Sequence, residues 1–280
     1  MGFDGLKVLS LESRRAKEME TLIRREGGDP FIAPSVQERA LEDQKEPLEF
    51  IRRLAAREFD LVVCMTGAGL AFLRELAAGH SLIDQLSDGL RNVFIVSRGP
   101  KPVPILRELG AKAQIVVPEP NTWKEVVDAI RSRPERRIAV QEYGRPNPEM
   151  TAALENLGAV VTPFAIYRWE LPSDTTPLRE AARLLASQSI DVVLFTSSIQ
   201  LDHLLEIARE EDMENEVLRA LQTHSALASV GPVMTAALES AGLSADIIPD
   251  HPKMVGIVKA AAAQSHAAIH RKRAAALSGR

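Results

Sequence analysis

The sequence is written twice. "FDLVVCMTGAGLAFLREL" from Phe59 resembles "IDVVLFTSSIQLDHLLEI" from Ile190, and their aspartates, Asp60 and Asp191, stand 131 positions apart. "VFIVSRGPKPVPILRELGA" from Val93 matches "SALASVGPVMTAALESAGL" from Ser225, with Gly99 and Gly231 separated by 132. A third pair, from Val8 and from Ile138, sets Met19 and Met150 again 131 apart. Three stretches at nearly one offset, in a chain of 280 residues, mean two copies of a domain-sized module and not a solenoid.

Each copy has one grammar: a short β-branched run, a small or polar turn, a helical stretch, a glycine, then another short run. Met19, Leu22 and Ile23 keep helical spacing before the stop at Gly27-Gly28. Strand and helix alternate throughout, so the expected class is α/β, with parallel sheets flanked by helices. The polar breaks at 35–47 and 168–177 fall at equivalent points inside the copies. Cutting there leaves a continuous middle piece, 48–163, and two end pieces that must pair. Tandem halves split near Pro134 are the alternative.

The run Leu61–Met65 is long enough for a buried strand, and "TGAG" follows where phosphate loops sit. Neither phosphate motif is completed. Leu70-Ala71 stand where a P-loop needs Lys-Ser/Thr, and Phe72 replaces the third glycine of a dinucleotide fingerprint. Five further turns have the same place in the grammar: "ESRR" (12–15), "SRGPK" (97–101), "EYGRP" (142–146), "TSS" (196–198) and "VGP" (230–232). In open parallel sheets such turns face the ligand, and helix N-termini bind anions through unpaired N–H groups. Arg14, Arg15, Arg98, Lys101 and Arg145 add full charges, so the expected ligand is a large polyanion in one cleft.

Other chemistry is excluded. A net charge of −4 advertises neither nucleic acid nor a membrane surface. The single cysteine, Cys64, forbids an internal disulfide and reads as a buried small hydrophobe in a reducing compartment. His80, His203, His224, His251, His266 and His270 show no metal-ligand spacing; His266 and His270 read as a solvated helix face. Ser197 and Ser198 are not in a nucleophile elbow. No apolar run spans a membrane and no signal-peptide core is present, so a cytoplasmic protein without metal or nucleotide is expected.

"TGAG", "SRGPK", "QEYGRP", "FAIYRWELP", "FTSSIQLDHLL", "VGP" and "HPKMVGIVKAA", in this order, resemble bacterial uroporphyrinogen-III synthases from about Val8 to Ala263. The resemblance implies two similar α/β domains joined by a two-stranded connector. The divisions expected are 1–35 plus 173–263, 36–172 with the connector strands, and a basic C-terminal tail at 264–280. It further implies a cofactor-free reaction that closes hydroxymethylbilane, a linear tetrapyrrole with eight carboxylates, to uroporphyrinogen III; a monomer is expected. In the family's pattern Tyr167 assists departure of hydroxide. The expected substrate-binding set is Arg14, Thr66, Gly67, Ala68, Gly69, Arg98, Gly99, Lys101, Tyr143, Gly144, Thr196, Ser197, Ser198, Gly231 and Pro232. The sequence departs from the family where Val233-Met234 replace a frequent Thr-Thr. The connectors, near Ala33–Glu38 and Tyr167–Pro172, are the expected hinge. The alternative function is a sensor or regulator that keeps the fold and binds a tetrapyrrole or another polyanion.

Overall fold

The computed structural model describes residues 2–278. The chain opens with β1 (Lys7–Ser10), α1 (Ala16–Arg25) and β2 (Asp29–Ile32), and then β3 (Gln37–Ala40). There follow α2 (Lys45–Ala55), β4 (Leu61–Cys64), α3 (Gly67–Gly79), α4 (Ile83–Arg91), β5 (Phe94–Ser97), α5 (Val103–Glu108), β6 (Ile115–Val116) and α6 (Trp123–Ile130). Next come β7 (Arg137–Gln141), α7 (Pro148–Glu155), β8 (Val160–Phe164) and β9 (Tyr167–Glu170). The chain closes with α8 (Thr176–Ala186), β10 (Val192–Phe195), α9 (Ser198–Glu210), α10 (Glu214–Thr223), β11 (Ala226–Ser229), α11 (Pro232–Ser240) and α12 (Met254–Ser278).

Two compact units result: one from the segments up to Gln37 and from Glu170 on, the other from Glu38 to Trp169. The first holds a parallel sheet in the order β11-β10-β1-β2 and the second one in the order β6-β5-β4-β7-β8. Matching β1 to β7, β2 to β8, β10 to β4 and β11 to β5 makes the two orders identical. The remaining strand of the middle unit's sheet, β6 at its edge, answers to the bridge between Ala228 and Ile247. The sequence repeat is therefore a repeat of sheet topology.

Both sheets are covered on both faces. In β4, Val62 and Cys64 pack with α2, α3 and α4 residues such as Phe50, Leu70, Leu73 and Leu86. Leu61, Val63 and Met65 pack on the other side with Val126, Ile130, Met150 and Leu154. Alternate residues thus enter different cores, so the strand reads as an unbroken apolar run. Cys64 is fully buried, and burial pushes its thiol up to about 12. In the terminal unit, Leu9, Val193 and Phe195 face one core and Val8, Val192 and Leu194 the other.

Asp60 and Asp191, the repeat's landmarks, tie neighbouring strands together at the edge where the strands begin. Asp60 accepts from the backbone N–H of Arg137 at 2.9 Å and from its guanidinium at 2.5 Å. Asp191 accepts from Lys7 N at 3.0 Å and from the Arg273 guanidinium at 2.8 Å.

Two expectations are corrected. The first connector strand is β3 at Gln37–Ala40 and not Ala33–Glu38, because Ala33 and Ser35 are fully buried in the terminal unit. It pairs with β9 as a two-stranded sheet. The segment from 264 is no separate tail: α12 runs unbroken to Ser278. Ile257, Val258, Ala261, Ala262, Ser265, Ala268 and Ile269 are buried at helical spacing, so its apolar stripe crosses residue 264 without a break. Lys272 pairs with Asp246 beyond that point. His266 and His270 lie on the exposed side.

Candidate functional site

In the middle unit the sheet order reverses between β4 and β7, the place where open α/β sheets bind ligands. "TGAG" sits there at the start of α3. Thr66 is extended and caps the helix, its Oγ1 accepting from Gly69 N at 3.0 Å. Gln141, the last residue of β7, reaches across, and its Oε1 accepts from Met65 N at 2.9 Å and Thr66 N at 3.1 Å. With the oxygen committed to two donors, the amide cannot turn over. Its Nε2 is buried and lacks a hydrogen-bond partner, at a cost of about 1–3 kcal/mol.

The glycines owe their presence to these contacts. A Cβ on Gly69 would stand 1.7 Å from Gln141 Nε2, and one on Gly67 would stand 2.5 Å from the carbonyl oxygen of Lys101. The turn resembles a phosphate loop because both side-chain volumes are taken by neighbours. The N–H groups of Met65, Thr66 and Gly69 are satisfied internally, so this helix start offers an anion fewer amides than its sequence suggests.

Tyr167 opens β9. It is buried, its ring lies 5.7 Å from that of Phe72, and its hydroxyl stands 3.3 Å from Thr66 Oγ1. Arg98 follows β5, and its N–H bonds the Cys64 carbonyl at 3.0 Å. The guanidinium lies 4.6 Å over the Tyr143 ring. Burial lowers the Arg98 pKa, and Tyr143 and Tyr167 oppose that shift. An arginine stays protonated in any case, so a cation is held here among phenols. The Trp169 ring fills the space a side chain at Gly144 would need, 2.3 Å from its Cβ, and Gly144 has φ +81°. Trp169 meets Tyr143 edge-on at 5.8 Å. Thr66, Gly67, Ala68, Gly69, Arg98, Gly99, Lys101, Tyr143, Gly144 and Tyr167 thus all belong to the middle unit.

Arg14, Thr196, Ser197, Ser198, Gly231 and Pro232 belong to the terminal unit. There Gln200 Oε1 accepts from Thr196 N at 2.7 Å and Ser197 N at 3.2 Å. Its Nε2 donates to Thr196 Oγ1 at 2.8 Å, and that hydroxyl donates to Glu12 at 2.7 Å. Ser229 Oγ donates to the Gly231 carbonyl at 3.0 Å, as Ser97 Oγ does to Gly99 at 2.6 Å. Arg14 and Pro232 are exposed, whereas Ser198 and Gly231 are buried. After Gly231, Val233 is exposed and Met234 buried, and the Thr235 hydroxyl is engaged with Ser229 and the Gly231 carbonyl.

Gln141, Gln200 and Glu12 stand in stretches quoted from the sequence but not among the expected site residues. One signal was present: Gly69 and Gln200 stand 131 apart in the repeat, a glycine against a long amide.

A family model described as "Uroporphyrinogen-III synthase HemD" matches residues 17–259. The chain belongs to the uroporphyrinogen-III synthase family. A putative uroporphyrinogen-III synthase of Methanothermobacter thermautotrophicus is 28% identical over 237 residues, 82% of this chain and 87% of that one. An uncharacterized protein of Bacillus subtilis, YjjA, is 27% identical over 92% of this chain and 95% of its own. Among solved structures, a mutant uroporphyrinogen III synthase of Thermus thermophilus superposes with a TM-score of 0.71 at 23% identity, covering 95% of this chain and all of that one. The enzyme of Helicobacter pylori gives 0.56 at 12% identity over 91% and 97%. These superpositions establish for this synthase-family chain the α/β fold with parallel sheets flanked by helices. No helix among the described residues is long and apolar enough to cross a membrane.

Proposed function

We propose that this family member is a uroporphyrinogen-III synthase that closes hydroxymethylbilane with loss of water and inversion of ring D. The observation behind the reading is the Tyr167 hydroxyl at 3.3 Å from Thr66 Oγ1, near the half-buried Arg98 cation, where the sheet order reverses. The pyrrole nitrogen expels the substrate's hydroxyl and Tyr167 gives it a proton, so that water departs and a protonated azafulvene remains. The ring D carbon that already bears the methylene bridge then attacks to form a spiro intermediate. Its older bond to that bridge breaks, the freed methylene joins the other, unsubstituted α-carbon of ring D, and the proton displaced there returns to Tyr167. Arg98 holds a substrate carboxylate, and Tyr143 and Trp169 offer aromatic faces to pyrroles. Placement supplies most of the rate and all of the regiochemistry. The reaction as written consumes no metal or cofactor, and the protein acts as a cytoplasmic monomer.

The test is incubation with enzymatically generated hydroxymethylbilane and chromatography of the oxidised products. The type III isomer is expected in excess; type I alone, the uncatalysed outcome, overturns the reading. A second reading, a binding protein on the same fold, is favoured by the turn at Val233-Met234, where the nearest hydroxyl, Thr235, faces inward. It requires affinity for uroporphyrin III without turnover.

A further inference from the structure

We propose that Gln141 is a positioning residue that holds the Thr66 hydroxyl against Tyr167; this rests on the reading of those two as substrate-facing groups. Two backbone amides, those of Met65 and Thr66, join the end of β4 to the start of α3, and both donate to the one oxygen of Gln141. They set the extended backbone of Thr66, and hence the direction of the hydroxyl that meets Tyr167.

The other copy shows that the fold alone does not require this residue. The strand pairs Val8–Val192 and Ile138–Leu61 place Leu11 where Gln141 stands. The same two amides, of Thr196 and Ser197, are bonded there by Gln200 from the helix itself, at the position of Gly69. In that arrangement the amide nitrogen is also satisfied, by Thr196 Oγ1. The middle unit has Met65 at the place of Thr196, and its amide nitrogen is left unpartnered. The less stable of two available arrangements thus occurs in the unit that holds both of the chain's tyrosines, Tyr143 and Tyr167. Bonding the turn from the neighbouring strand lets residue 69 be glycine, and it anchors Thr66 to the sheet instead of to the helix.

The experiment compares wild type, Q141L and Q141E by steady-state kinetics on hydroxymethylbilane and by NMR of the two carbon-13-labelled tyrosines, assigned with Tyr143→Phe. A Glu at 141 keeps the acceptor for both amides and sits favourably at a helix N-terminus. For folded Q141L, the Tyr167 ring signal is expected to move and kcat to fall on the order of 10- to 100-fold with KM little changed. Q141E is expected to restore both signal and kcat, a rescue that a packing role does not give. Q141M, unbranched and with only a weak thioether acceptor, replaces Q141L if that variant does not fold. An unmoved Tyr167 signal and unchanged kcat in folded Q141L or Q141M overturn the proposal, and so does a Q141E as impaired as Q141L. If wild type lacks turnover, the synthase reading fails while the tyrosine signal still decides the positioning claim.

Discussion

Gly69 and Gln141 are a matched pair: the amide nitrogen of Gln141 occupies the space that any side chain at 69 would claim, 1.7 Å from its Cβ. Gly69→Ala is therefore expected to push Gln141 away from the Met65 and Thr66 amides and to destabilise the protein by about 1–3 kcal/mol. The double variant Gly69→Gln with Gln141→Leu copies the terminal unit and should regain most of the loss. Urea unfolding of wild type, single and double variants checks this; a Gly69→Ala protein as stable as wild type would contradict the pairing.

Tyr167→Phe removes one hydroxyl and keeps the ring against Phe72. General-acid assistance contributes roughly 10²–10⁴-fold, and a leaving group already activated by pyrrole demands the low end of that range or less. Turnover is expected to fall clearly, with the type III product and the melting temperature retained. An unchanged rate assigns Tyr167 to packing alone.

Arg98 is tested by Arg98→Met. Binding of uroporphyrin III, followed by fluorescence, is expected to weaken about tenfold, the loss of a charge-assisted contact. The remaining affinity should depend less on salt than that of wild type. Equal affinity and equal salt dependence in the two proteins would remove Arg98 from the binding site.

The hydrogen bonds from the Arg137 side chain hold the Asp60 carboxyl down to about 2 in the folded state. The unfolded value is about 3.9. A depressed folded pKa gives stability that is present above the unfolded pKa and lost as pH falls through the folded one. Asp60→Asn is thus expected to lower stability at neutral pH by about 1–2 kcal/mol, an allowance for screening at this partly exposed pair. The difference between the two proteins should shrink between pH values of about 4 and 2. A pH-independent difference would show that the charge of Asp60 is not the cause.

Ile269 probes the length of α12. It is 6% exposed, so Ile269→Ala should cost about 2–5 kcal/mol in unfolding free energy. A loss below about 0.5 kcal/mol, the range of surface substitutions, would restore the picture of a solvated tail.

The sequence by itself determined the fold class, the repeat and the elements that bear the candidate site. Unbroken apolar runs such as Leu61–Cys64 belong to strands buried on both faces, and small turns after them lead into helices; both are local patterns. The end of the terminal unit was misread because lysines and arginines hid a stripe of alanines, and whether a helical face is covered depends on its neighbours. The identity of the turn residues was also only half legible. Two glycines were visible, but their reason lay in residues 34 and 72 positions further on, Lys101 and Gln141. Only the tertiary structure decided that Tyr167 meets Thr66 across 101 positions, and that one copy bonds its turn from the strand and the other from the helix. A hydrogen bond is set by distances of about 3 Å, and chain order carries no record of which distant atoms the packing of strands brings that close.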